Sequence, residues 1–192
     1  MRAAVLLALV ALAAAAPATA GTVTGTVTVR GAPAGDAVVY LEGGRAAAAP
    51  AGRVTMDQRN LSFVPAVLPV VRGTVVEFTN GDDVQHNVFT PSRAGGRFDL
   101  GTYSRGQSRQ VTLAEAGEVV VLCNIHMEME ARILVLDEPT FAVTGPEGAF
   151  TLRDVPPGRY RLRLWKKGWL AHEEPVTVVD EGPLRVDVRA AR

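Results

Sequence analysis

Short apolar runs that alternate with polar residues, cut at intervals by glycine and proline, leave this chain few folds to choose from. Residues 22–29 set the pattern: Val23, Val27 and Val29 alternate with threonines, the period-two signature of a half-buried strand. Arg30-Gly-Ala-Pro-Ala-Gly35 then reads as a turn and residues 37–41 as the next strand. The same style returns after residue 139. Gly145-Pro-Glu-Gly148 and Val155-Pro-Pro-Gly158 are turns. Between residues 159 and 164, Tyr160, Leu162 and Leu164 share one face while Arg159, Arg161 and Arg163 take the other, which suits an antiparallel sheet wet on one side. Residues 176–179 and 184–188 complete that set. No stretch carries the period of a helix of ordinary length, so the pattern predicts an all-β sandwich.

The middle of the chain has its own strands. Residues 56–63 are expected as an opening strand, 67–71 as a second, and 74–79 as a third whose end delivers the loop from Asn80 to His86. Residues 108–113 and 118–123 are expected to pair around the Glu115-Ala-Gly117 turn, and residues 131–136 close the set. A stretch rich in Gly, Ala and Pro, residues 42–52, separates this segment from the first strands. Its run of alanines is too short to nucleate a secure helix, so it reads as a linker.

Residues 1–20 do not belong to any core. Arg2 supplies a positive start, residues 3–16 are apolar and uncharged, and Ala18-Thr19-Ala20 is a small-residue cleavage site, the pattern of a secretory signal peptide. The apolar run is shorter than the ~20 residues of a spanning helix, and no lipid-acceptor cysteine follows it. Export to the periplasm is therefore expected, or release outside the cell, with no membrane insertion after cleavage. The chain has 20 basic and 20 acidic residues; removing Arg2 leaves 19 against 20, close to neutral. So balanced a charge offers no footprint for nucleic acid or an anionic membrane.

An exported protein with a single cysteine needs an account of that thiol, since no internal disulfide can form. Cys123 is followed by His126 and Met129, with Met127 as a rival thioether, so a thiolate, an imidazole and a thioether fall within seven residues. His86, in Asn80-Gly-Asp-Asp-Val-Gln-His86-Asn87, is the available second imidazole. Two His, one Cys and a weak axial Met make the soft trigonal set that suits blue copper. The bland alternatives are a small buried cysteine with ordinary histidines, or a zinc site, although closed structural zinc sites favour more thiolates and no thioether. His172 is expected to be solvated, Trp165 and Trp169 to be packing residues of a sandwich or an interdomain seam, and Met56 to be core.

These residues resemble a cupredoxin. Phe63-Val-Pro65, Gly73 to Asn80, His86-Asn87-Val88, Phe98-Asp99-Leu100-Gly101, Gly117 and the Cys123-x2-His126-x2-Met129 loop are similar to the plastocyanin- and amicyanin-like blue copper proteins of the methylamine-utilisation type. The likeness covers roughly residues 53–137. It implies one type 1 copper per chain, with Cys123 as thiolate, His86 and His126 as equatorial imidazoles and Met129 as axial ligand. Met127 stands where related loops commonly carry proline and stays open as an alternative. The resemblance also places Asn87 beside the site, its backbone amide directed at the Cys123 sulfur.

The flanks resemble a different family. Gly25-Thr-Val27, Pro33-Ala-Gly-Asp-Ala-Val-Val-Tyr40-Leu41, Glu147-Gly-Ala-Phe-Thr-Leu152, Pro156-Pro-Gly-Arg-Tyr160-Arg-Leu162 and Lys167-Gly-Trp169 are similar to a carboxypeptidase regulatory-like module, a transthyretin-like β-sandwich without catalysis of its own. Together the two likenesses imply a cupredoxin Greek-key β-sandwich, residues 52–137, inserted into a second small sandwich built from residues 21–51 and 138–192.

Function follows as an expectation. With only three histidines in the chain, two of them in the mononuclear site, the additional all-histidine copper ligands of a multicopper oxidase or nitrite reductase cannot be assembled, and no enzyme is expected. An electron carrier between a redox donor protein and a redox acceptor protein fits best. The alternative is a copper-binding or surface-assembly module whose metal is structural or protective and does not cycle.

Overall fold

The computed structural model describes residues 20–43, 52–167, 169–180 and 182–191. The signal-peptide expectation, apart from Ala20, and most of the linker expectation lie outside these residues. Among the described residues the regular structure is all strand. The strands are β1 (Gly21–Val29), β2 (Ala32–Pro33), β3 (Val38–Glu42), β4 (Arg53–Gln58), β5 (Phe63–Val64), β6 (Val67–Val71), β7 (Val75–Asn80), β8 (His86–Thr90) and β9 (Phe98–Tyr103). They continue with β10 (Ser108–Thr112), β11 (Gly117–Leu122), β12 (Glu130–Leu136), β13 (Phe141–Val143), β14 (Ala149–Val155), β15 (Gly158–Lys166), β16 (Trp169–Val178), β17 (Leu184–Arg185) and β18 (Val188–Ala190).

Four sheets result. One runs β14-β1-β17 with β2 and β18 also on β1, and another runs β13-β3-β15-β16; the remaining two are β10-β7-β4-β5 and β6-β12-β11-β8-β9. The first pair encloses a core of Val23, Val27, Val39, Leu41, Phe150, Leu152, Leu162 and Leu164. The alternation of β1 explains its part: Val23 and Val27 point inward and are fully buried while the threonines between them are half-buried. Each fully buried Val or Leu contributes about 1.5–3 kcal/mol. The second pair encloses Met56, Phe63, Val76, Phe78, Val88, Val121, Ile133 and Val135.

Strands β3 and β12 are buried on both faces, and this joins the two sandwiches. In β3, Val39 and Leu41 enter the first core while Val38 and Tyr40 face away from it. In β12, Ala131, Ile133 and Val135 enter the second core while Leu134 and Leu136 face away. The outward residues meet, with Trp165, in a third apolar cluster between the sandwiches. Trp165, at 5% exposure, is a seam residue.

Several local expectations are corrected. Residues 56–63 are not one strand: Arg59 and Ser62 exchange backbone hydrogen bonds of 2.9 and 3.2 Å, and Asn60 and Leu61 both take positive φ, so β4 and β5 form a two-residue hairpin. Residues 108–113 and 118–123 do not pair. β10 pairs with β7 and β11 with β12 and β8, so the intervening turn carries the chain from one sheet to the other. The expected strand at 176–179 is the end of the long β16, whose Pro175 is tolerated because β16 is an edge strand. The expected strand at 184–188 is split. Between β17 and β18 the carboxylate of Asp187 accepts the Thr26 amide at 3.0 Å, where a ladder carbonyl would otherwise stand. His172 is partly covered, with 29% of its side chain exposed and Nε2 3.6 Å from Glu174, and so is not freely solvated.

Candidate metal centre

The site forms at one end of the sheet β6-β12-β11-β8-β9. His86 is the first residue of β8, Cys123 immediately follows β11, and the segment from Cys123 to Met129 closes the hairpin to β12. Two backbone bonds shape that segment: Met129 N–H to His126 O at 3.0 Å and Cys123 N–H to Met129 O at 3.4 Å. A tight hairpin folded onto itself therefore presents a thiol and an imidazole to the start of the neighbouring strand.

The ligand atoms of His86, Cys123 and His126 all lie within 4.8 Å of one another. His86 Nδ1 and His126 Nδ1 are 3.0 Å apart, a separation two nitrogens can share around one ion lying about 2 Å from each. His86 is fully buried, Cys123 is 3% exposed, and His126 is half-buried. Met129, at 1% exposure, belongs to the same buried cluster as Cys123, whereas Met127 is 83% exposed. The donor set of one thiol, two imidazoles and a nearby thioether fits a soft or borderline transition metal such as copper.

Surrounding polar groups hold the donors. Asn87 is buried; its Oδ1 accepts the Asn124 amide at 2.7 Å and its Nδ2 donates to Asp99 at 3.3 Å. Its side chain thus joins β8 to the residue after Cys123. Tyr103 pairs with His86 across β8 and β9, and its hydroxyl meets the amide nitrogen of Gln58. Burial pushes the Tyr103 phenol well above its usual range, against the opposing hydrogen bond from Gln58 and the guanidinium of Arg109 stacked on its ring.

Asp82 escaped the sequence reading. Its Oδ2 lies 3.0 Å from His86 Nε2, and the same carboxylate accepts the amides of Asn60 at 2.6 Å and Leu61 at 3.0 Å. Burial alone would raise its pKa, but those two amides and His86 outweigh it and hold the carboxyl below its usual value. The available signal was a carboxylate four residues before the candidate imidazole. Nothing local showed that the 59–62 turn would bring two amides to it.

The fold and the cluster define a class: a two-sandwich, all-β protein with a buried thiol–imidazole site suited to a metal ion. Comparison with known proteins adds two likenesses. The carboxypeptidase regulatory-like domain matches residues 110–191, a continuous span that takes in β11 and β12 as well as the strands after them. Similar solved structures include a copper-containing nitrite reductase from Thermus scotoductus, at 30% identity over 44% of this chain with a TM-score of 0.42; the match spans only 22% of that chain. They also include a reduced amicyanin mutant, 22% identical over 51% of this chain and 98% of its own, with a TM-score of 0.42. A purple cupredoxin from Nitrosopumilus maritimus is 20% identical over 43% of this chain and 98% of its own, with a TM-score of 0.39. No curated protein matches by sequence.

Proposed function

We propose that this is an exported type 1 copper protein, binding one copper ion and passing single electrons between a donor and an acceptor redox protein. The carrying observation is the convergence of His86, Cys123 and His126, with one imidazole fully buried and the other reaching partly to the surface. Copper, when bound, supplies a one-electron couple. His86, Cys123 and His126 would hold the ion, and Met129, buried in the same cluster as Cys123, would supply the weak thioether.

The chain's own part is to hold those donors still. His86 is anchored in a strand and at Nε2 by Asp82, and the Cys123 segment by its two backbone bonds and by Asn87. Donors fixed in this way cannot follow the different preferences of two copper charge states, which keeps the reorganisation accompanying electron transfer small. The exposed part of His126 is the exit toward a partner. On this reading the protein is not an enzyme, works in the periplasm, and consists of a copper unit, residues 52–137, inserted into a sandwich that serves as its mount.

A visible absorption spectrum after adding one equivalent of Cu(II) tests the proposal. An intense thiolate-to-copper band is expected, with a reversible one-electron wave in voltammetry. A colourless protein overturns it, and copper that binds without cycling leaves the structural or protective module instead.

A further inference from the structure

We propose that Asp82 is a positioning residue for the metal centre, fixing His86 as the Nε2–H tautomer so that Nδ1 carries the lone pair, and biasing the site toward the divalent ion. The inference rests on the metal-site reading for its second half only. Three donors converge on the two oxygens of this carboxylate. The Asn60 amide reaches Oδ1 at 2.6 Å, and the Leu61 amide and His86 Nε2 each reach Oδ2 at 3.0 Å. An ionised carboxylate only accepts, so the imidazole nitrogen facing it must be the donor. The proton is then committed to Nε2, and Nδ1, 3.0 Å from His126 Nδ1, is left free to ligate.

The arrangement is built. Asn60 and Leu61 take φ of 52° and 54°, consecutive left-handed residues whose two amides point the same way and form an anion-binding nest. Leucine is a poor residue for such a position, since its Cβ is strained there. Asn80 Oδ1 accepts the Asp82 amide at 2.9 Å and orients the acid from behind. The side chain of Asp82 is 13% exposed and that of His86 is fully covered, so water competes little for their contact. A carboxylate on the outer nitrogen of a metal-bound imidazole raises its donor strength, and loss of such a partner typically costs about 10–100-fold in affinity. A stronger nitrogen donor favours divalent over monovalent copper.

The test uses the whole purified protein, 15N-labelled at histidine, first without metal. Long-range 1H–15N spectra of the wild type are expected to show His86 as the Nε2–H form. An Nδ1–H form, or a rapid tautomer mixture, overturns the proposal. In Asp82→Asn a single amide oxygen cannot serve three donors, so the tautomer is expected to become mixed while the rest of the spectrum stays folded. Titration with copper then follows. Binding of Cu(II) is expected to weaken about 10–100-fold, and by about tenfold more than that of Cu(I), which raises the midpoint potential by ~59 mV. If Asp82→Asn is too unstable, Asn60→Gly, which keeps the backbone amide, the positive φ and the acid, is the folded control in which a retained Nε2–H tautomer is expected. In Asp82→Asn an unchanged Nε2–H tautomer, or equal losses for both copper states, would overturn the proposal, as would loss of that tautomer in Asn60→Gly, where the acid is kept. Wild-type protein that takes no copper, but whose His86 tautomer still answers to Asp82, overturns the copper reading and leaves the positioning of His86 standing.

Discussion

The side-chain oxygen of Asn87 accepts the backbone amide of Asn124 at 2.7 Å, joining residues 37 positions apart in the chain. One end of this bond sits beside His86 and the other beside Cys123, so it sets the spacing of two donors. Asn87→Ala leaves the Asn124 amide without that partner, at about 1–3 kcal/mol. It should also weaken copper binding by about tenfold or more. Chelator competition and thermal melts measure the two effects.

The two methionines separate by burial. Met127→Ala, at a position 83% exposed, should leave stability and spectrum unchanged. Met129→Ala should destabilise by about 2–5 kcal/mol through the cavity left in the core, keep copper, and alter its visible spectrum; Cys123→Ser should abolish the colour. A Met127→Ala spectrum that changes while that of Met129→Ala does not would reverse the axial assignment.

Trp165 and Leu134 come from different sandwiches and share the buried cluster at the seam. Trp165→Ala should cost about 3–5 kcal/mol, and a double-mutant cycle with Leu134→Ala should show a coupling of about 0.5–3 kcal/mol. Additive effects in urea denaturation would mean that this pair does not couple across the seam.

Gly25 lies in the middle of β1, and a Cβ there would stand 1.7 Å from the carbonyl oxygen of Val186. Backbone cannot yield that much without breaking the hydrogen bond that the Val186 N–H donates to the Thr24 carbonyl oxygen. Gly25→Ala should destabilise by ~3 kcal/mol or more, read as a lowered melting temperature in the flanking sandwich.

Asp187 accepts the Thr26 hydroxyl at 2.8 Å, and this bond, with the Arg185 guanidinium and the Thr26 amide, outweighs desolvation and lowers its pKa below the ordinary 3.8. A depressed folded-state pKa adds stability above the unfolded value and loses it as pH falls through the folded one. The denaturant midpoint of Asp187→Asn should therefore fall below that of wild type at neutral pH, and the gap should close under acid conditions below about pH 4. A gap that is constant with pH would assign the effect to packing.

Much of this was legible in the chain. Alternating Val and Thr marked β1 because a strand's period of two shows directly in sequence, and the Tyr160, Leu162, Leu164 face of β15 followed from the same rule. The 59–62 turn was not legible, because Leu61 is not turn chemistry and is held there by a distant carboxylate. Nor was the separation of β10 from β11. Neighbours in sequence with matching patterns look like a hairpin, and only the competition of β7 and β12 for their edges decides otherwise.

By itself the sequence determined the strand-rich character, the turns, and a soft donor set spaced closely enough to act together, since these depend on residue type and short-range period. Tertiary structure alone decided that His86 meets His126 and Cys123 at one sheet end, that Asp82 backs His86, and that β3 and β12 bury both faces to join two sandwiches. Those relationships are set by pairing across long stretches of chain, where the closing of one contact depends on all the others.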